Sequence, residues 1–171
     1  AAIQTKGVTE IVESTETRDH TQRLLKSLKA DISVKEKNGK RITKIRGQVE
    51  MKSFAINVFG DFSSAIFLIV QTLLTEKSSL LIKSVCINKN RIGAYYILKA
   101  MGAKIKFLRK KKYFNEEVAD IYVESSKLKG IKCKKKFIIT AIDDLLAVWV
   151  ACSLAKGKSY FSGNSLLELR L

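Results

Sequence analysis

The sequence predicts an α/β chain of the mixed, α+β kind, built from repeated strand–helix–strand units with hairpins inside them, and not a doubly wound parallel sheet. Three observations predict it. The stretch Arg18 to Ile32 returns 73 residues later as Arg91 to Ile105: Arg18 matches Arg91, Leu25-Lys26 matches Leu98-Lys99, and Ala30 and Ile32 match Ala103 and Ile105. A repeat of this kind sets the architecture before any single residue does. A looser echo sets Gly60-Asp61-Phe62-Ser63-Ser64-Ala65 against Ile142-Asp143-Asp144-Leu145-Leu146-Ala147, where each acidic residue opens a long apolar segment. Finally, Lys37-Asn38-Gly39-Lys40 places Asn-Gly, a strong hairpin signal, between two alternating stretches.

Val8 to Glu13 reads as a strand. Thr17 stands where an N-cap belongs, and Arg18 to Lys29 carries Leu24, Leu25 and Leu28 at helical spacing. Ile32 to Glu36 and Arg41 to Arg46 alternate as the two arms of the Asn-Gly hairpin, and Lys52 to Val58 alternates as a further strand. Ser63 to Thr75 reads as a helix and Leu80 to Val85 as a strand. In the second copy a helix runs from Arg91 to Met101, and Gly102 is its stop signal. Lys104 to Leu108 and Val118 to Val123 are strands, and Phe137 to Ile139 is a short extended piece. A helix from Asp143 to Ala155 stops near Gly157, and Lys158 to Phe161 is the last strand. Trp149 and the Phe67/Leu68/Val70 face are assigned to the core.

Composition bounds the rest. With 46% apolar residues the chain can bury a real core, yet no apolar run reaches the roughly 18–20 residues of a membrane span. Ala65 to Leu74 is the best candidate, about half that length, and reads as a buried helix. The start lacks a basic region followed by an apolar one, so a signal peptide is not expected. Cys86, Cys133 and Cys152 have no metal-ligand spacing, and there is one histidine. They read as reduced, buried thiols of a cytoplasmic protein with no metal site.

The net charge is +16. Arg109-Lys110-Lys111-Lys112 and Lys132-Cys133-Lys134-Lys135-Lys136 are the densest basic runs. Nucleic-acid modules interleave arginine and aromatic residues with their charge. These runs are nearly pure lysine, so they read as solvated hairpin ends in a positive field that attracts small anions, and against a nucleic-acid partner. There is no proline, where ordinary usage predicts about eight or nine. Loops must therefore turn on Gly, Asn, Asp and Ser. No G-x-G-x-x-G or Walker sequence is present, so a nucleotide cofactor has no support, and no cofactor is expected.

Five stretches, in order, carry a family resemblance. They are Gly7-Val8-Thr9-Glu10-Ile11-Val12-Glu13 with Thr17-Arg18-Asp19-His20-Thr21; Gly60-Asp61-Phe62-Ser63-Ser64-Ala65; Ile87-Asn88-Lys89-Asn90-Arg91 with Met101-Gly102-Ala103; Ala141-Ile142-Asp143-Asp144 with Ala155-Lys156-Gly157; and Glu168-Leu169-Arg170-Leu171. Together they resemble the middle of the EPSP synthase (3-phosphoshikimate 1-carboxyvinyltransferase) family over nearly the whole chain. Ser14, Phe59, Lys89 and Leu146 stand where that family usually has proline. Its fold sister, the UDP-N-acetylglucosamine enolpyruvyl transferase, matches less well at Arg18-Asp19-His20-Thr21 and at Gly60 to Ser64.

The resemblance implies a fold of two domains, each of three βαββαβ units, closing like a clamshell. It places residues 1–58 at the end of the first domain and 61–171 at the start of the second, and makes this chain a central fragment of an enzyme that is monomeric at full length. It implies carboxyvinyl transfer from phosphoenolpyruvate to shikimate-3-phosphate, with no activity expected of the fragment alone.

The transfer passes through a tetrahedral intermediate and needs a proton moved on and off, a task that suits a carboxylate. On the residues alone, Asp143 or Asp144 reads as a helix cap; the resemblance implies that Asp143 is the catalytic carboxylate. Thr17 and Arg18 read as an N-cap and an exposed cation, but a hydroxyl and a guanidinium at a helix start also hold phosphate. The resemblance implies that they touch the shikimate phosphate. His20 reads as a packing or surface residue and Arg91 as a structural charge at a helix start. A basic nucleic-acid-binding α/β module and a non-functional remnant stay open as other classes.

Overall fold

A computed structural model describes residues 1–14, 17–51, 53–161 and 169–170. It divides into two compact units, Ala1–Val58 with Lys112–Glu116, and Phe59–Lys111 with Glu117–Leu171. The class is α/β, with mixed sheets.

The first unit opens with a 3-10 turn, Ala2–Gln4, followed by β1 (Val8–Glu13), α1 (His20–Ser27), β2 (Ile32–Lys37) and β3 (Lys40–Arg46). The strand order is β1-β3-β2. β3 is antiparallel to both neighbours, so β1 and β2 run parallel with the returning strand between them. Asn38 and Gly39 both have positive φ, which gives the tight turn whose twist suits a two-residue hairpin. Glu10 lies opposite Lys44 in the β1–β3 register, and their side chains meet at 2.8 Å.

The second unit contains α2 (Phe62–Leu74), β4 (Ser79–Cys86), α3 (Gly93–Ala100), β5 (Lys104–Tyr113) and β6 (Glu116–Glu124). β7 (Lys132–Cys133), α4 (Lys135–Thr140), a 3-10 turn at Ile142–Asp144, α5 (Leu145–Ser153), β8 (Tyr160–Phe161) and β9 (Leu169–Arg170) complete it. Its main sheet has the order β4-β6-β5, the plan of the first unit again, with the returning strand in the middle. A small second sheet has β8 between β7 and β9.

The sequence repeat has a bond-by-bond structural counterpart. α1 and α3 begin and end 73 residues apart. At the end of α1 the Ala30 N–H donates to the Leu25 carbonyl (3.0 Å) and the Lys29 N–H to that of Lys26 (3.2 Å). At the end of α3 the Ala103 N–H donates to Leu98 (3.0 Å) and the Gly102 N–H to Lys99 (3.1 Å). Both are Schellman caps, which need one residue in the left-handed region. That residue is Lys29 (φ 61°) in the first copy and Gly102 (φ 95°) in the second. The repeated identities Leu25-Lys26 and Ala30 are therefore the residues that close the cap.

The core belongs to the second unit. Phe62, Ile66, Ile69 and Leu73 of α2 meet Ile97 and Leu98 of α3, Ile121 and Val123 of β6, and Val148 of α5. Burial of each such side chain contributes on the order of 1.5–3 kcal/mol. The first unit buries Ala30, Thr43 and Ile45, while Val8, Ile11, Val12 and Val34 are exposed on its strands. In the second unit β4 bulges at Ser84, whose φ is 54°. The Asp120 carboxylate on β6 accepts the Ser84 N–H at 2.8 Å and Arg109 Nε at 2.6 Å, which fixes the bulge. A bulge re-aims the residues beyond it, and here Val85 stands opposite Gly60, just before α2, in a parallel bridge made through the Ser84 carbonyl and the Cys86 N–H.

Several expectations are corrected. Residues 53–59 form no strand, and Lys52 lies outside the described residues. Among the described residues no strand pairs with this stretch; instead the Asn57 N–H donates to the Tyr113 hydroxyl, and Phe54 packs on Phe114. Phe137 to Ile139 lies inside α4, not in an extended piece. Three apolar residues are too few for either period to show, and packing of α4 on α3 decides the matter. Phe67 and Leu68 are exposed while Val70 is buried, because α2 is apolar almost all round and its pattern does not say which side faces in. The second lysine run is a strand-to-helix junction between β7 and α4, not a hairpin end. Glu168 and Leu171 lie outside the described residues. Among the described residues no helix is long and apolar enough to cross a membrane.

Two substitutions test this reading of the repeat. Lys29→Gly removes a side chain from the left-handed region and is expected to stabilise by about 1 kcal/mol. At Gly93 an added Cβ would lie 2.4 Å from the Phe137 carbonyl oxygen. Gly93→Ala is therefore expected to cost about 1–3 kcal/mol through overpacking. Denaturant midpoints of the three chains check both.

Candidate functional site

Three helix starts meet in the second unit. The first is that of α2. Gly60 is fixed to the end of β4 by its N–H to the Ser84 carbonyl (2.7 Å) and by the Cys86 N–H to its own carbonyl (2.9 Å). Asp61 then caps the helix: its Oδ2 accepts the Ser64 N–H at 3.0 Å and the Ser64 hydroxyl at 3.1 Å. An Asp-x-x-Ser start is ordinary capping chemistry and costs Asp61 only one of its two oxygens.

The second start is that of α3. Buried Asn88 makes the turn that delivers it. The Asn88 side chain accepts the Asn90 N–H at 2.9 Å, and its carbonyl accepts the Arg91 N–H at 2.8 Å. An asparagine that bonds its own backbone two residues on can set a turn without proline, which this chain lacks. The turn carries Arg91 to the third start, that of α5, where Asp143 and Asp144 sit in the 3-10 turn before Leu145.

Arg91 joins them. Its Nη1 donates to Asp143 Oδ2 at 2.7 Å, and its Nη2 faces Asp61 Oδ1 at 3.4 Å. The Arg91 side chain is 15% exposed and that of Asp143 is 46% exposed. Asp144 is buried, at 1% exposure. Its Oδ1 accepts a hydrogen bond from the Ser63 hydroxyl, while its Oδ2 is enclosed with no hydrogen-bond partner among the described residues. Asp144 stands at the N-cap of α5 and makes no capping hydrogen bond with its side chain.

The two neighbouring carboxyls thus have opposite surroundings. Burial pushes the Asp144 carboxyl above the ordinary carboxylate value, and the Ser63 hydrogen bond and Arg91 offset this only in part. Burial also works to raise Asp61, but the backbone N–H groups of Ser64 and Ser63, the Ser64 hydroxyl and Arg91 outweigh it and hold Asp61 below that value. For Arg91, burial works against the charge, yet the hydrogen bond to Asp143 and the charges of Asp61, Asp144 and Asp143 raise it further. The guanidinium is therefore a fixed cation. Two half-exposed carboxylates face this cation, Asp61 at 50% and Asp143 at 46%. Asp61 is committed to capping α2 and held low in proton affinity, which leaves Asp143 as the group suited to moving a proton. All three cysteines are buried, and burial lifts the Cys133 thiol to about 11, which leaves it inert near neutral pH.

The other expected site residues belong to the first unit. Thr17 and Arg18 are exposed in the segment between β1 and α1. Thr17 does not cap α1, which starts at His20; its hydroxyl donates to Glu13 at 2.5 Å. His20 Nδ1 lies 2.7 Å from Glu116 Oε1, and Arg23 lies 3.8 Å from the same buried carboxylate. His20 is thus a packing residue against Glu116 within the first unit. Sequence reasoning passed over Asp61, Ser63 and the partners of Arg91. The signal was present: the two acidic helix-openers of the looser echo, Asp61 and Asp143, are the two residues that Arg91 holds.

The family model described as EPSP synthase (3-phosphoshikimate 1-carboxyvinyltransferase) matches residues 1–170. The chain is 40% identical over 171 residues to the 3-phosphoshikimate 1-carboxyvinyltransferase of Zymomonas mobilis, covering 100% of this chain and 37% of that protein. It is 43% identical over 162 residues to the protein of that name from Petrotoga mobilis, covering 93% and 36%. A solved EPSP synthase from Acinetobacter baumannii is similar with a TM-score of 0.84 and 32% identity, over 97% of this chain and 37% of that one. The chain spans a little over a third of the length of the relatives it matches. These matches give no support to the nucleic-acid module or to the UDP-N-acetylglucosamine enzyme.

Asp144 gives a pH test. A carboxyl raised in the folded state binds its proton more tightly folded than unfolded, so its burial costs stability as pH rises above the unfolded value, 3.8. Asp144→Asn keeps an acceptor for Ser63 and removes the charge. Thermal melts should nearly coincide with those of the parent chain at about pH 3.5. The variant should become the more stable of the two as pH rises to about 8. A gap that does not change with pH would contradict this account.

Proposed function

Because this chain belongs to the EPSP synthase (3-phosphoshikimate 1-carboxyvinyltransferase) family, as its match over residues 1–170 shows, we propose that it forms part of an enzyme that transfers the enolpyruvyl group of phosphoenolpyruvate to shikimate-3-phosphate. The reaction releases phosphate and serves chorismate and aromatic amino acid synthesis. The single observation that carries the proposal, beyond the match itself, is the state of Asp143: a half-exposed carboxylate at a helix start, held at 2.7 Å by Arg91. A group in that state can give and take a proton at a reacting carbon, where a buried carboxyl such as Asp144 cannot reach.

In this reading Asp143 moves the proton as the tetrahedral intermediate forms and collapses. Thr17 and Arg18, exposed at the start of α1, hold the phosphate of shikimate-3-phosphate through a hydroxyl and a guanidinium. Residues 1–58 form the end of one enolpyruvyl transferase domain and 61–171 the start of the other. No cofactor takes part, and the full-length enzyme works as a cytoplasmic monomer. Catalysis rests on bringing two anions together between opposed domains. The family's remaining cationic motifs are absent from residues 1–171, so the chain alone should bind phosphate weakly without turning over.

Phosphate release from shikimate-3-phosphate and phosphoenolpyruvate tests this. The 171-residue chain alone should show none. A hybrid in which it replaces the matching segment of the Acinetobacter baumannii EPSP synthase should be active. In that hybrid Asp143→Ala should lower kcat by about 100- to 10,000-fold, and Arg18→Gln should raise KM for shikimate-3-phosphate. Full activity of the Asp143→Ala hybrid would remove Asp143 from the mechanism.

A further inference from the structure

We propose that Arg91 is the positioning residue of this site, holding the Asp143 carboxylate in a single orientation while itself held by Asp61. The inference rests on the reading of Asp143 given above. The order of constraint runs one way. Asp61 is fixed first, because its Oδ2 is committed to capping α2 through Ser64. Its Oδ1 is left to face Arg91 Nη2 at 3.4 Å. The guanidinium is planar, so fixing one nitrogen fixes the direction of the other. Nη1 then presents its hydrogen to Asp143 Oδ2 at the shorter distance of 2.7 Å.

The backbone under Asp143 is held as well. The Asp144 N–H donates to the Ala141 carbonyl at 2.7 Å, and the Asp144 side chain is bonded to Ser63 on α2. What remains adjustable at residue 143 is its side-chain rotamer, on which Arg91 acts directly through the 2.7 Å hydrogen bond to Oδ2. The charged groups facing Arg91 are Asp61 from α2 and Asp143 and Asp144 from the turn before α5. Arg91 therefore counters three carboxylates while directing one of them. Its repeat counterpart Arg18 is exposed, whereas Arg91 is 15% exposed; the same place in the repeat has been given a different task.

A surface ion pair of ordinary worth would leave chemistry untouched. A positioning role would not, since a misplacement of about 1 Å can cost about 100-fold in rate. In the hybrid enzyme, Arg91→Gln is expected to lower kcat by about 10- to 100-fold while leaving KM for both substrates within about twofold. Arg91→Lys keeps the charge but loses the two-nitrogen fork, and should recover only part of kcat. The acid limb of the pH–rate profile should move to higher pH in Arg91→Gln, because Asp143 loses its cation. In the 171-residue chain, the Asp143 carboxyl carbon, followed by NMR, should titrate at higher pH in Arg91→Gln than in the parent.

Unchanged kcat and an unmoved acid limb in Arg91→Gln, with Asp143→Ala inactive, would overturn the inference and leave the assignment of Asp143 standing. An active Asp143→Ala hybrid would instead fail the assignment itself, and the inference with it. Where Arg91→Gln does not fold, Asp61→Asn decides. Asparagine still caps α2 but no longer anchors the guanidinium by charge. A fall in kcat with KM unchanged supports the inference, and an unchanged kcat overturns it.

Discussion

The second unit depends on one guanidinium. Three helices, α2, α3 and α5, point their starts at a common place, and each start carries aspartate or arginine. Helix N-termini favour negative charge, which allows Asp61, Asp143 and Asp144 to gather there. Three carboxylates in a half-buried space would still repel one another, and the low local dielectric would make that repulsion strong. Arg91 resolves the conflict by bonding two of them directly and lying near the third. Asp144, farthest from water, is met by the Ser63 hydroxyl and by a raised proton affinity. The apolar core of the second unit includes Phe62, Ile92 and Leu145, which stand next to these charged helix ends in the chain.

The legible parts of the sequence were those where local chemistry and fold agree. The 73-residue repeat was visible because a Schellman cap constrains identity: Leu25 and Leu98 supply the closing carbonyls, and Ala30 and Ala103 are small enough to sit buried behind them. The Asn38-Gly39 turn was visible for the same kind of reason, since few residues tolerate two successive positive φ angles. Asp143 was singled out by family resemblance, and its surroundings were not. Nothing local says that a cation 52 residues upstream will reach it, because that contact exists only after α3 and α5 have packed.

The misreadings share a cause as well. Phe137 to Ile139 and the 53–59 stretch are short apolar or alternating runs whose state is set by what lies beside them. α4 is helical because it docks on α3. The 53–59 stretch is irregular, and among the described residues no strand pairs with it. Phe67 and Leu68 were placed inside because α2 is apolar nearly all round, and periodicity loses its direction when the polar face is missing. The two units also differ in kind: one has a deep core, while the other buries little more than Ala30, Thr43 and Ile45. The same βαββ plan is therefore stabilised in the two places by different amounts of apolar burial.

The position that opens both repeated helices has an evolutionary consequence. It is His20 in the first copy, where a ring nitrogen reaches buried Glu116, and Gly93 in the second, where the backbone of α4 leaves no room for a side chain. A glycine at the first place would take the imidazole from a buried acid; a histidine at the second would drive α4 away. Recombination between the two halves of the duplication would therefore be punished in either direction. The copies kept the residues that close their helices and became unable to exchange the residues that begin them. A duplication that diverges in this way cannot be homogenised again, and each half is committed to its own neighbours.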